Sequence, residues 1–214
     1  MPLSAEIEHF DRAGLRAAAR AAFDLPTDAE VLLVIGGSQG ATTLNRAAVG
    51  LAARWRDRPH RRILLKTGAA DLAGIQADLQ AAGAAHVVRA VSFFERMDHA
   101  YAAADVALTR AGAGTVAELG ATGLPAVLVP YPYAPHDHQA VNASVLVDVG
   151  AALMVRNPEA AAERVGPVLD ELFADGDRRT AMGSAGRSVA RPHAAEELAS
   201  WVLELADTRA PVGR

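Results

Sequence analysis

Short aliphatic and β-branched runs alternate along most of this chain with Ala/Leu-rich segments of helical period, and that alternation limits the fold more than any other feature. The runs are Val31–Ile35, Ile63–Leu65, His86–Val88, Val106–Leu108, Ala126–Val129 and Ala152–Val155. Between them lie Gly40–Arg54, Asp71–Ala82, Thr115–Thr122 and Gln139–Val149, each long enough to cross over a sheet. Strand followed by crossover helix predicts a parallel sheet covered on both faces, an α/β fold. A further helix is expected over Asp11–Phe23. After the sixth run the sequence turns wholly helical from Pro158 to Ala206, with breaks at Asp175-Gly176 and Arg191-Pro192. The expected organisation is one domain over 1–207, with 208–214 as a frayed tail.

Ligands of open parallel sheets bind beyond the carboxyl ends of the strands, so the loops after the strands are the places to look for function. The first is Gly36-Gly37-Ser38-Gln39-Gly40-Ala41, a glycine turn between a strand and a helix start. Glycine admits backbone angles closed to other residues and leaves the backbone open to a ligand. The helix behind it offers free N–H groups and the positive end of its dipole, which suit a phosphate, and Ser38 can donate one bond more. Gly40 is followed by Ala41-Thr42 rather than Lys-Ser/Thr, so the nucleotide-triphosphate P-loop fails. Ile35 occupies the first glycine position of the dinucleotide fingerprint, and Leu65-Lys66-Thr67-Gly68 carries no acid, which disfavours NAD. A plain tight turn with Ser38 as helix cap explains this loop equally well.

The second loop, Arg110-Ala111-Gly112-Ala113-Gly114-Thr115-Val116-Ala117-Glu118, repeats the arrangement. Glu118, expected in the first helical turn, could accept both hydroxyls of a ribose. Thr115 and Glu118 also have capping-box spacing, and on spacing alone the capping box is favoured. Arg110 fits either a phosphate contact or an internal salt bridge.

The third loop, Pro130 to Asn142, is stiffened by three prolines, and Asp137 reads as a helix cap. Gln139 and Asn142, three apart, share a helix face where amides can meet sugar hydroxyls. His136-Asp137-His138 raises a metal site, but adjacent side chains diverge and no fourth ligand is evident.

Taken together, the first loop, then Arg110-Ala111-Gly112-Ala113 with Thr115-Val116-Ala117-Glu118, then Asp137-His138-Gln139 with Asn142-Ala143, resemble the carboxy-terminal domain of the MurG family, which makes lipid II. The resemblance runs from Pro2 to about Ala206. It implies a Rossmann-like sheet forming one half of a GT-B glycosyltransferase. It also implies a site for UDP-N-acetylglucosamine: Gly37, Ser38 and Gln39 at the diphosphate with Arg110, Ala113, Gly114 and Thr115 near by. Glu118 falls to the ribose diol, which reverses the preference for a cap. Gln139 and Asn142 fall to the sugar, and Phe93-Phe94 match the stretch whose backbone reads uracil. Ser4 stands where the family usually has an arginine.

The resemblance further implies that acceptor binding and the catalytic base come from an amino-terminal domain or a separate subunit. No catalytic residue is then expected in this chain, and no metal or cofactor. The family's reaction transfers GlcNAc, with inversion, to undecaprenyl-diphospho-MurNAc-pentapeptide. Alternatives are the donor subunit of another UDP-sugar transferase and a non-catalytic UDP-sugar-binding module. A net charge of -4 without blocks of basic residues argues against nucleic acid. The absence of cysteine rules out a thiolate nucleophile and fits a cytoplasmic setting. Contact with the inner face of the membrane would come through the acceptor domain.

Overall fold

The computed structural model describes residues 2–37 and 41–208. Ser38, Gln39, Gly40 and the segment 209–214 lie outside the described residues.

Six parallel strands form one sheet: β1 (Glu30–Ile35), β2 (Arg61–Lys66), β3 (Val88–Val91), β4 (Val106–Thr109), β5 (Ala126–Leu128) and β6 (Ala152–Met154). Their spatial order is β3-β2-β1-β4-β5-β6. β1 runs between β2 and β4, in register Leu32 with Ile63 on one side and Leu32 with Val106 on the other. The connection after β1 leads towards β2 and that after β4 towards β5, away from each other. A crevice therefore opens between the carboxyl ends of β1 and β4, where sheets of this order hold ligands.

The helices are α1 (Ala5–Glu8), α2 (Arg12–Ala22), α3 (Thr42–Trp55), α4 (Leu72–Ala81), α5 (Met97–Ala103), α6 (Ala113–Thr122), α7 (His138–Val147), α8 (Ala162–Ala174), α9 (Gly176–Val189) and α10 (Ala194–Thr208). Because side chains alternate across a strand, β1 feeds two cores. Val31, Leu33 and Ile35 pack with Ala100, Tyr101 and Leu119 on one face. Leu32 and Val34 pack with Leu44, Leu51, Trp55 and Leu169 on the other. Burying each such side chain contributes about 1.5–3 kcal/mol, so the two faces together hold the sheet flat against its helices. Asp170 of α8 fastens the second layer: it accepts from Trp55 Nε1 at 3.0 Å and pairs with Arg54 and Arg58 of the α3 end.

The third strand begins later than the alternation predicts. Ala85–Val87 is a 3₁₀ turn, and the strand is Val88–Val91. Val87 is buried against the layer that contains Leu79 and Ala84, and its N–H bonds to Ala84 O at 3.0 Å, which closes the turn. The true strand lies at the sheet edge with only partly buried side chains, so its apolar signal is weak. The short helices α1 and α5 have no signal in the periodic reading. The break at Asp175-Gly176 is real, and Asp175 caps α9 by accepting from Arg178 N at 2.8 Å. The gap around Arg191-Pro192 separates α9 from α10.

Among the described residues no helix is long and apolar enough to cross a membrane.

Candidate functional site

At the carboxyl ends of β1 and β4 a cleft of 620 Å³ is lined by both glycine loops and by the loop after β5. Gly37 takes φ +98°, which an L side chain rarely adopts, and among the described residues beyond its chain neighbours no atom lies within 4 Å of where a Cβ would sit. Gly37 thus presents bare backbone on this side of the cleft. Ser38 and Gln39, expected at the diphosphate, lie outside the described residues. Behind the loops, α3 and α6 begin at Thr42 and Ala113, and neither Ala41 nor Gly112 at their N-cap positions supplies a side-chain cap. Two helix starts that no side chain of the described residues caps therefore stand at adjacent strand ends, the arrangement that favours an anion.

Arg110 follows β4 and is only 7% exposed. It forms no internal salt bridge: among the described residues no carboxylate pairs with it. Its Nη1 donates to the carbonyls of Val129 at 3.1 Å and Pro130 at 3.2 Å, and its guanidinium lies 5.6 Å from the Tyr131 ring centroid. Its Nε is buried without a partner among the described residues. Burial pushes the Arg110 pKa below the usual arginine value, yet a guanidinium stays charged in protein. The cleft wall therefore holds an unneutralised cation.

Gln139 and Asn142 share a face of α7 as their spacing predicts, and both grip neighbouring backbone. Gln139 Oε1 accepts from Ala111 N at 3.1 Å and from Tyr131 N at 2.9 Å. Asn142 Nδ2 donates to Ala111 O at 3.1 Å. The second and third loops are thereby locked together through Ala111.

Glu118 differs from the expectation. Because α6 begins at Ala113, Glu118 lies in its second turn, and the N-cap position belongs to Gly112, not Thr115. The capping box does not form. The Glu118 carboxylate instead accepts a 2.6 Å bond from the hydroxyl of Tyr101 on α5. Tyr101 is 1% exposed, and burial, reinforced by the Glu118 charge, raises its pKa well above that of a free phenol. It remains a donor at every physiological pH.

Asp137 also departs from its expected role. It occupies the N-cap of α7 in a left-handed conformation, φ +52°, and makes no side-chain cap. Its carboxylate pairs with Arg156 at 2.8 Å, while His138 Nδ1 turns to Pro135 O at 3.0 Å. Adjacent side chains of this trio seek separate partners.

The cleft brings together Gly37, Arg110, Thr115 and Gln139. Ala113 and Asn142 line a neighbouring groove of 320 Å³, and Gly114 lies between the two in the first turn of α6. Phe94 is 2% exposed and packs edge-on against Phe23 at 5.5 Å, so only its backbone can face a ligand. The cleft also includes residues the periodic reading missed. Thr42 and Thr43 belong to the first turn of α3, Tyr131 and Tyr133 stand edge-to-face at 5.6 Å, and Asn157 follows β6. Asn157 Oδ1 is buried without a partner. The rule of searching loops after strands applies to Asn157 as well. Nothing local in the sequence marks Tyr101.

Near the end of β2 the nearest carboxylate is Asp71, and it accepts from Asn45 Nδ2 at 2.9 Å.

Known proteins carry the same framework. A relative from Saccharopolyspora erythraea is 44% identical over 206 residues, covering 96% of this chain and 53% of the relative. One from Shewanella amazonensis is 43% identical over 180 residues, covering 84% of this chain and 50% of the relative. Both are named UDP-N-acetylglucosamine–N-acetylmuramyl-(pentapeptide) pyrophosphoryl-undecaprenol N-acetylglucosamine transferase. The chain spans about half the length of these relatives. The crystal structure of Acinetobacter baumannii MurG superposes with a TM-score of 0.77 at 28% identity, over 92% of this chain and 55% of that one. The family described as the glycosyltransferase family 28 C-terminal domain matches residues 31–198, and the chain belongs to that family.

Proposed function

We propose that this chain is the UDP-N-acetylglucosamine-binding part of an inverting N-acetylglucosaminyltransferase, acting on undecaprenyl-diphospho-MurNAc-pentapeptide to form the lipid II of peptidoglycan synthesis. One observation carries the donor half of this reading. Arg110 is a buried guanidinium that, among the described residues, has no carboxylate partner, set in a cleft between two helix starts that no described side chain caps. A diphosphate supplies the missing negative charge and accepts from those amides.

In this reading Gly37, with Ser38 and Gln39, follows the diphosphate, helped by Thr115. Glu118, oriented by Tyr101, accepts the ribose diol. Gln139 spends its carbonyl oxygen on two backbone N–H groups, which leaves its NH2 end for a sugar hydroxyl. Asn142 spends its NH2 on Ala111, which leaves its carbonyl oxygen for the same sugar. The Phe94 backbone reads uracil. In the transfer step the acceptor hydroxyl attacks the anomeric carbon, its proton goes to a base, and UDP departs. The charge developing on UDP is stabilised by Arg110 and the two helix starts. Acceptor and base come from an amino-terminal domain or a separate subunit, which also brings the complex to the inner face of the membrane. This chain alone binds donor without transferring it.

Calorimetric titration with UDP-N-acetylglucosamine, UDP-glucose and NAD tests the donor assignment. Saturable binding of UDP-N-acetylglucosamine is expected, and binding of NAD with neither UDP-sugar would overturn it. Mixing the chain with a MurG-type amino-terminal domain and lipid I tests the rest. Lipid II formation supports the transferase reading. Donor binding with no product from a demonstrably assembled pair favours a non-catalytic module or another acceptor.

A further inference from the structure

The opposite end of the sheet holds a second large cavity, of 590 Å³, where Asp105 and Pro125 precede β4 and β5. Its walls are cationic. Arg12 and Arg16 come from α2, Arg179 and Arg187 from α9, and the carboxylates among the lining residues are Asp105 and Asp177. Arg20, one turn further along α2, also pairs with Asp105 at 3.0 Å. Four guanidinium groups and two carboxylates thus line the cavity, a positive concentration in a chain whose formal net charge is -4.

Asp105 has nothing left to give. Its Oδ1 takes Arg16 at 2.6 Å and Arg12 at 3.3 Å, and its Oδ2 takes Arg20 and the N–H of Val31 at 2.9 Å. Burial, and then the neighbouring Arg16 charge, push the Arg12 pKa below the usual arginine value. Arg12 Nε is buried without a partner among the described residues.

Folding accounts for part of this cluster. Arg12 and Arg16 reach the carbonyls of Ala102 and Ala104 at the end of α5, and Arg179 reaches Leu172 and Phe173 at the end of α8. Each such bond uses one nitrogen of a group with five N–H donors. Among the described residues Arg187 hydrogen-bonds only to Ser184 Oγ, at 3.3 Å, and pairs with no carboxylate, while its guanidinium packs over Gly123 at the end of α6. Gly176 and Asp177 at the Asp175-capped start of α9 and Gly123 at the end of α6 also line the cavity. Asp105 and Asp177 offset only part of the repulsion among the four like charges drawn from two helices, and a bound anion offsets more of it.

We propose that this cavity is a second anion site, separate from the donor cleft, that takes a ligand bearing phosphate groups with at least two negative charges. The guanidinium groups of Arg12, Arg16, Arg179 and Arg187 hold it. Their planar forks match phosphate oxygens in pairs, and 590 Å³ accommodates a diphosphate. The phosphate can arrive on a soluble molecule or on a lipid headgroup.

Inorganic pyrophosphate titrated into the full chain in excess UDP tests the site, since UDP occupies the other end of the strands. One bound pyrophosphate per chain is expected, weakening as salt rises. Arg187→Gln should weaken it about fivefold and Arg16→Gln about tenfold, each about 1–1.4 kcal/mol. Arg187→Gln breaks no ion pair among the described residues and keeps a side chain over Gly123, so it reports on binding even if Arg16→Gln proves unstable. No pyrophosphate binding, or binding that both variants leave unchanged, overturns the proposal. Flotation with phosphatidic acid vesicles but not phosphatidylcholine vesicles, lost in Arg187→Gln, identifies a lipid source. Pyrophosphate binding without flotation identifies a soluble one. If UDP itself gives no heat, the donor reading fails, while the dependence on Arg187 still decides this site.

Discussion

The Tyr101 hydroxyl and the Glu118 carboxylate meet at 2.6 Å, joining the middle of α5 to the second turn of α6. Tyr101 is wholly buried and Glu118 partly so, and the bond fixes one carboxylate oxygen while leaving the other for a ligand. A residue that spacing alone assigns to helix capping is thereby held by a partner seventeen positions earlier.

Tyr101→Phe should therefore weaken UDP-sugar binding about fivefold, close to the ~1 kcal/mol of one hydrogen bond, with little change in melting temperature. The same variant should bind 2′,3′-dideoxy-UDP as well as the parent does, because Tyr101 acts only through Glu118 on the diol. Equal losses for both ligands, measured by calorimetry, would show that Tyr101 serves packing instead.

Arg110→Met should cost at least tenfold in UDP affinity, given about 1.5–3 kcal/mol for a hydrogen bond to a charged group. Thermal stability of the free chain should hold or rise, since a buried cation without a carboxylate is replaced by an apolar side chain of similar length. A large fall in melting temperature with unchanged affinity would place Arg110 in the fold rather than the site.

Gln139→Glu keeps an acceptor for Ala111 N and Tyr131 N but adds charge beside the proposed diphosphate. Its fold should survive while donor affinity drops about tenfold through repulsion. Gln139→Ala removes the acceptor itself and should destabilise the chain by about 1–3 kcal/mol. Denaturation curves and titrations on both variants separate these two roles.

Acid stability should depend on Asp98. Its carboxylate is bound by Arg96 at 2.9 and 2.5 Å, and those bonds hold its pKa below the usual aspartate value. A depressed folded pKa means that the stabilisation is complete above the unfolded value of about 3.9 and is lost as pH falls through the folded one. Asp98→Asn should flatten that part of the stability profile in unfolding experiments run from pH 5 downward.

Much of the fold was legible because it follows from local patterning. The six apolar runs and their helical spacers specify a parallel sheet, and five of the six strands fall where the runs lie. The third does not, because Val87 is apolar for a 3₁₀ turn while the edge strand Val88–Val91 is only partly buried. Glycine loops are visible as well, since positive φ at Gly37 demands a residue type that the letters reveal.

Partnerships between distant residues were not legible. Thr115 and Glu118 spell a capping box, yet α6 starts two residues before Thr115, and the carboxylate is captured by Tyr101. Arg110 was compatible with an ion pair or a phosphate until its surroundings showed two carbonyls and no carboxylate among the described residues. Asp137 has the letter of a cap, but Arg156 takes its carboxylate. Periodicity, turn chemistry and chain order belong to neighbours in sequence, and the sequence alone determined the α/β class, the two glycine loops and the family. Charge pairing, burial and the choice among competing hydrogen bonds depend on groups that meet only after the sheet closes. Tertiary structure therefore decided that Arg110 stays unneutralised, that Glu118 is aimed rather than capping, and that five arginines converge at the far end of the strands.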